Sequence, residues 1–381
     1  MATQNLTSPD DQTVTFVELF FDLVFVFSVT QVVGLLHDGL SWLAVGQAIL
    51  VFWLVWWAWT QFTWSLNAAD TTHSWVQIST LTATAVAFFM AVALPQAFGD
   101  SAMWFAVTYI MVRMIGLSLQ YWVGTESSAL HSAVTTWILF SIGGLVAVLI
   151  GGYLGGRLQI WFWAAAILLD VFATIIGGRA EGWNIRPEHF SERHALFVII
   201  ALGEGLIVAA STVTGALWTN TLLLVAILAV VITCGLWWSY FPRAKPVLDS
   251  ALESSQGAEQ SLMARDVYSL LHFVMLLGVI AYAYAVEIAL AHPGEPLSFD
   301  GRIALAAGLV LFVGGMAVAI WRATRKVLVA RIVVILGTAV TILAFAGVSG
   351  SITLAVALAG VLLIAVIEQR SQRLVVLADQ V

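Results

Sequence analysis

The 381-residue chain is poor in charge: Asp, Glu, Lys and Arg make up 10% of it, where a soluble domain carries roughly 25%. Its 15 Lys and Arg form no basic face or stripe to offset phosphate charge, which excludes nucleic acid as a partner. The single cysteine, Cys234, lies in an apolar run, which excludes disulfides and cysteine-ligated metal sites. There is no HExxH, no GxSxG, no phosphate-binding glycine loop and no Asp-rich stretch suited to diphosphate–magnesium chemistry, so no cofactor or metal is expected. The N-terminus lacks a basic n-region and a small-residue cleavage site, so the first apolar run is expected to be retained.

What the chain has is apolar length. It is 61% hydrophobic, with 17 Trp and 21 Phe, and about 20 consecutive apolar residues suffice to span a bilayer as a helix. Apolar segments lie near 16–36, 42–66, 74–94, 101–123, 129–150, 157–177, 192–215, 219–240, 266–291, 302–321, 326–347 and 350–368. Lipid cannot satisfy an open backbone and the runs do not alternate as barrel strands do, so helices are required. The expectation is an all-α polytopic membrane protein with about 12 transmembrane helices and the lipid bilayer as its partner. A tail (1–15), a six-helix half (16–178), a second half (179–368) with a polar linker at 241–265, and a tail (369–381) make up the chain. Trp56, Trp57 and Trp59, like Trp237 and Trp238, read as interfacial belts at span ends.

Basic residues set the sidedness. Arg179, Arg186, Arg193, Arg243, Lys245, Arg265, Arg322, Arg325, Lys326, Arg331, Arg370 and Arg373 fall on one side, which is 12 of 15; Arg157 and Arg302 fall on the other, and Arg113 lies inside a span. The positive-inside rule then puts both termini in the cytoplasm. Registering Trp56 on Trp237 sets Asp22, 34 residues before the first, against Glu204, 33 before the second. With an even number of spans in each half, such copies would be parallel repeats.

Five ionisable residues fall within spans: Asp22, Arg113, Asp170, Glu204 and Glu287. Each costs about 2.5–3.5 kcal/mol at mid-helix, so a functional or paired role is the default. Counting at about 1.5 Å per residue puts Asp22, Arg113, Asp170, Glu204 and His272 in one cytoplasm-side layer, with Glu287 near the other face. Three carboxylates there face one arginine. Either two acids remain as a proton or cation site, or the layer is a static plug bridged by Arg113. Glu18 and Asp22 are spaced i,i+4, where like charges repel; Glu18 is placed to snorkel to water or form an entrance, whereas Asp22 is too deep and too short. Arg193 begins a stripe Arg193–Phe197–Ile200–Glu204 and either neutralises anionic lipid or feeds a polar entrance. Gly203 and Gly205 beside Glu204, and Gly151–Gly152 with Gly155–Gly156, read as packing and loop glycines. His189 and His194, in the basic loop, do not match zinc spacing.

Three stretches, ELFFDLVFVFSVTQ (18–31), WWAWTQFTWSLN (56–67) and ERHALFVIIALGEGLIVAAS (192–211), resemble the bacterial low temperature requirement protein A (LtrA) family, and the likeness covers essentially the whole chain. Its acidic pair and aromatic run match Glu18, Phe20, Phe21 and Asp22, and its glycine–glutamate matches Gly203 and Glu204. The family's polar stretch after the second span usually carries more charge; here NAADTTHSW holds Asp70 and His73 alone. The resemblance implies a multi-pass bacterial inner-membrane protein linked by name to growth in the cold, without an established reaction or substrate. A looser likeness to the endolysosomal potassium channels rests on Phe20–Phe21–Asp22, with phenylalanine where their motif has serine.

Three functions stay open from sequence. The first is a transporter or channel for a proton, cation or small solute, with Asp22, Arg113, Asp170, Glu204 and His272 at its site and Glu18 and Arg193 at its entrance. The second is a sensory or scaffold protein of cold or envelope adaptation, in which the charges only lock helices together. The third is a membrane-embedded enzyme using carboxylates as acid–base groups on a lipid.

Overall fold

The computed structural model describes residues 8–9, 12–36, 39–123, 128–177, 185–211 and 213–378, without the side chains of 128–133, 176–177, 208–209 and 371–378. Arg179 and the side chain of Arg373, two of the sidedness residues, lie outside the described residues. Twelve helical segments follow one another. They are α1 (Phe16–Gly34), α2 (Trp42–Ala68), α3 (Ser74–Ala93), α4 (Ala102–Val123), α5 (Ser128–Leu154) and α6 (Gly156–Gly177), then α7 (Pro187–Ser211). After these come α8 (Asn220–Ser254), α9 (Gly257–Ala291), α10 (Phe299–Thr324), α11 (Val329–Ala344) and α12 (Gly350–Ala378). Among the described residues no strand forms, only an isolated bridge between Pro296 and Ser349. Ten of the helices are long and apolar enough to cross a membrane. The molecule is an all-α polytopic membrane protein.

Two stretches differ from the sequence expectation. The polar linker at 241–265 is helical, because α8 and α9 each run on for 35 residues. Pro242 falls inside α8, where its missing N–H and its ring disrupt the i→i−4 ladder. The chain answers with a wide π-helical turn at Tyr240–Ala244 and continues as helix. Helix α7 opens with Pro187 at its first position, a site that tolerates the missing donor, so His189 and His194 belong to a helix and not to a loop.

The chain forms two compact units. The first comprises Met1–Ile200 with Asp249–Leu270, the second Ala201–Leu248 with Leu271–Val381. In the first unit α5 and α6 pack as a hairpin turned by Gly155 and Gly156, both at positive φ, while α1 packs on α2 and α3, which in turn pack with α4. Gly151 and Gly152 are packing glycines: a Cβ at Gly152 would sit 2.8 Å from that of Ala106 and 3.0 Å from the Ala102 carbonyl. Trp56, Trp57 and Trp59 are fully buried, so they build this unit's interior and are not a lipid-facing belt. Trp237 and Trp238 are on the surface.

In the second unit α9 crosses α10 backbone to backbone. A Cβ on Gly308 would lie 2.7 Å from Tyr282 N and one on Gly278 would lie 2.6 Å from Phe312 N. Helix association in lipid lacks a hydrophobic drive and relies on such close contacts. Gly308→Ala is therefore expected to destabilise the purified protein by about 1–3 kcal/mol, the usual cost of overpacking. Thermal unfolding in detergent checks this; an unchanged midpoint would exclude the crossing.

Candidate functional site

The first unit holds two charge clusters with no water contact. One joins α1 to α7. Thr15 caps α1, and Glu18, three residues on, reaches back to accept from the Thr15 backbone N–H at 2.9 Å and its hydroxyl at 2.8 Å. Asp22 follows one turn later on the same face. Helix α7 answers with His189 and Arg193 at the same i,i+4 spacing, so the two pairs face each other as rungs. His189 Nε2 is 3.0 Å from Glu18 Oε1, and Arg193 makes a short ion pair with Asp22 Oδ1 while its Nη1 lies 3.5 Å from Glu18. Trp59 of α2 donates its indole N–H to the same Asp22 oxygen at 2.7 Å.

Aromatic rings wall the cluster. The Arg193 guanidinium lies 5.6 Å from the Trp59 ring centre and 6.0 Å from that of Phe21, within cation–π range. Phe21 in turn packs on Phe25 and Phe62, each with ring centres 4.6 Å away. Trp56 donates to the Ser269 carbonyl at 2.6 Å and Trp64 to the Ser269 hydroxyl at 3.1 Å, which ties the first turns of α9 to the same wall. Of the phenylalanines of α1, Phe21 and Phe25 are thus buried beside the cluster, whereas Phe16 and Phe20 are exposed.

Glu18 and Arg193 therefore do not sit where the sequence placed them. Glu18 does not snorkel to water and Arg193 does not reach a lipid surface; both are fully buried. Their reach is spent inward because each finds an opposite charge within the protein, which a lone side chain counted from a helix end does not reveal.

The second cluster joins α4, α5 and α6. Arg113 holds Asp170 with both arms, Nη1 at 3.2 Å and Nη2 at 3.1 Å, and also bonds the Tyr109 hydroxyl at 2.8 Å and the Ser141 hydroxyl at 3.1 Å. The pair is bidentate and well supplied with partners. Asp22 and Arg113 thus have different ion partners and do not share one pair. Glu204 and His272 belong to the second unit. There His272 Nε2 meets the Tyr240 hydroxyl at 2.8 Å, both groups buried, beside the π-helical turns at Tyr240–Ala244 and Ala264–Leu271. Glu204 is half-buried and, among the described residues, makes no hydrogen bond or ion pair. Asp22 and Glu204, which the Trp56–Trp237 register aligns, occupy unlike surroundings.

The functional candidates that sequence reading passed over are His189, Trp59, Asn67, Tyr109 and Ser141. Two signals were available for the first: the T-x-x-E pattern at Thr15–Glu18, and the identical spacing of Glu18–Asp22 and His189–Arg193. Among the described residues no group of three or more His, Cys, Asp and Glu is arranged to hold a metal ion.

Comparison with known proteins gives one family match and one relative. The family model described as bacterial low temperature requirement A protein (LtrA) matches residues 13–367. An uncharacterized protein of Rhizobium meliloti (strain 1021) is 30% identical over 319 residues, covering 80% of this chain and 76% of the relative. No solved structure matches.

Removing one partner of the Arg113–Asp170 pair strands a buried charge. Arg113→Ala is expected to cost about 3–5 kcal/mol, much of it recovered in the Arg113→Ala/Asp170→Asn double variant. A thermal-stability cycle in detergent reads this; additive losses would mean that the two groups are not coupled.

Proposed function

We propose that this chain, which belongs to the bacterial low temperature requirement A protein family, is a transporter or channel for a proton, cation or small solute, and that the α1–α7 cluster is its site. One observation carries the reading: two fully buried carboxylates, Glu18 and Asp22, face a single guanidinium, Arg193. Burying charge without full compensation is costly, and ionisable groups kept inside a membrane protein mark ion or substrate pathways by default. Glu204, half-buried and without an ion partner among the described residues, is a third carboxylate of the reading. Arg113 and Asp170 are assigned a different role, as the lock between α4 and α6.

The reading is tested by flux into liposomes carrying the purified protein. Asp22→Asn and Glu18→Gln are each expected to lower proton or potassium flux about tenfold, equivalent to about 1.4 kcal/mol. Flux that survives both substitutions would remove the site, and no flux in the wild type would remove permeation. The bidentate, charge-matched Arg113–Asp170 pair favours a second reading, in which the buried charges only lock helices in a scaffold of cold or envelope adaptation; it predicts no flux but the stability losses described above.

The same reading takes the membrane to be the bacterial inner membrane, and the excess of Lys and Arg on one side supports cytoplasmic termini. Reporter fusions check it. A cytoplasm-active reporter is expected to work after the C-terminal Val381 and to fail in the α5–α6 turn at Gly155; the opposite pattern would invert the topology.

A further inference from the structure

Asn67, at the end of α2, forms a two-point pair with the backbone of Arg186: its Oδ1 accepts from the Arg186 N–H at 2.8 Å and its Nδ2 donates to the Arg186 carbonyl at 3.0 Å. Backbone groups cannot exchange roles, so the amide orientation is settled by its partners. The second hydrogen of Nδ2 then points to His189 Nδ1, 3.2 Å away. That nitrogen must accept, and the ring's one hydrogen then sits on Nε2, 3.0 Å from Glu18 Oε1. The Gln12 amide nitrogen gives one hydrogen to the Leu66 carbonyl at 3.1 Å and stands 3.5 Å from His189 Nε2, a longer and weaker contact than that of Asn67 with Nδ1. His189 is therefore a neutral donor, and it adds no positive charge to the cluster.

The remaining balance is two carboxylates against Arg193. Among the described residues, no further cation is paired with either acid. Neither α2 nor α3, both packed on α1, carries a titratable side chain. On α7, His194 Nδ1 bonds the Phe190 carbonyl at 2.9 Å and its ring packs on Trp59; at the start of α9, the Tyr268 hydroxyl donates to Asp249. The two acids are unequally supplied. Glu18 accepts from Thr15 N and Thr15 Oγ1 on Oε2, and its Oε1, without a hydrogen bond among the described residues, still lies 3.0 Å from His189 Nε2 and 3.5 Å from Arg193 Nη1. Asp22 receives Trp59 and Arg193 on Oδ1 alone, and its buried Oδ2 has no hydrogen-bond partner among the described residues.

We infer that the cluster binds one proton, held on Asp22 Oδ2, and that Asn67 is the positioning residue that keeps it there by denying His189 Nδ1 a proton. The ligand is a proton and not a metal cation, because the buried Oδ2 stands apart from any grouping of donors able to coordinate one. The inference rests on the site assigned under the proposed function and gives that site its ligand.

Infrared spectra of the full-length protein in liposomes, with ¹⁵N-histidine spectra of the same samples, test it. At neutral pH the wild type is expected to show a carboxylic-acid carbonyl band that disappears in Asp22→Asn and persists in Glu204→Gln, together with a His189 ring protonated on Nε2 alone. Asn67→Ala frees Nδ1, so the band is expected to be lost as Nδ1 becomes protonated, a transfer that a purely structural asparagine would not produce. If Asn67→Ala does not fold, the wild-type ring and band decide alone. A doubly protonated His189 in the wild type, a band indifferent to Asp22→Asn, or a band displaced by sodium or potassium at fixed pH would each overturn the inference. Band and ring state are read without flux. A protein that shows both and transports nothing refutes the proposed function only, and one that transports without the band refutes this inference only.

Discussion

The guanidinium of Arg193, held between Asp22 and Glu18, is the contact on which the first unit depends. Two carboxylates one helical turn apart repel, and neither could stay in a dry interior without a counter-charge. Arg193 meets both from a different helix, so the stability of α1 and the placement of α7 become one requirement. The aromatic surroundings follow from the same constraint. A guanidinium withdrawn from water needs π-faces as well as oxygens, and Phe21 and Trp59 offer them.

The capping interaction at the start of α1 serves two ends with one side chain. Glu18 satisfies the Thr15 backbone N–H, as the third residue of a capping box does, and turns its other oxygen to His189 and Arg193. Local helix initiation and tertiary charge balance thus meet in a single carboxylate. The Arg113–Asp170 pair shows the contrasting solution. There one acid meets one arginine with both arms, two hydroxyls add further bonds to the arginine, and no charge is left over. Matched against mismatched charge separates a lock from a site within the same unit.

Much of the architecture was legible in the residues. Uninterrupted apolar length sets the number and kind of elements, since lipid permits a spanning chain little besides helix. The helices at 16–34, 42–68 and 102–123 begin and end within two residues or so of their apolar runs. Reading failed where a polar residue inside or beside a run had a partner elsewhere. Pro242 and the charges after it suggested a linker, yet the π-helical turn lets α8 continue. Trp56, Trp57 and Trp59 suggested an interfacial belt, yet they line the interior, because an indole N–H satisfied by Asp22 or by a carbonyl has no need of the interface.

The sequence by itself determined that this is a helical membrane protein of its family and that Asp22, Arg113 and Asp170 sit too deep in apolar runs to reach water. Composition and length decide those matters, because the hydrophobic term is summed along the chain and is indifferent to which helix lies beside which. Only the tertiary structure decided the partners: Asp170 for Arg113, Arg193 for Asp22, and His189 for Glu18. Electrostatic balance is a property of atoms a few ångströms apart, and residues 171 positions distant in the chain meet only once the helices have packed.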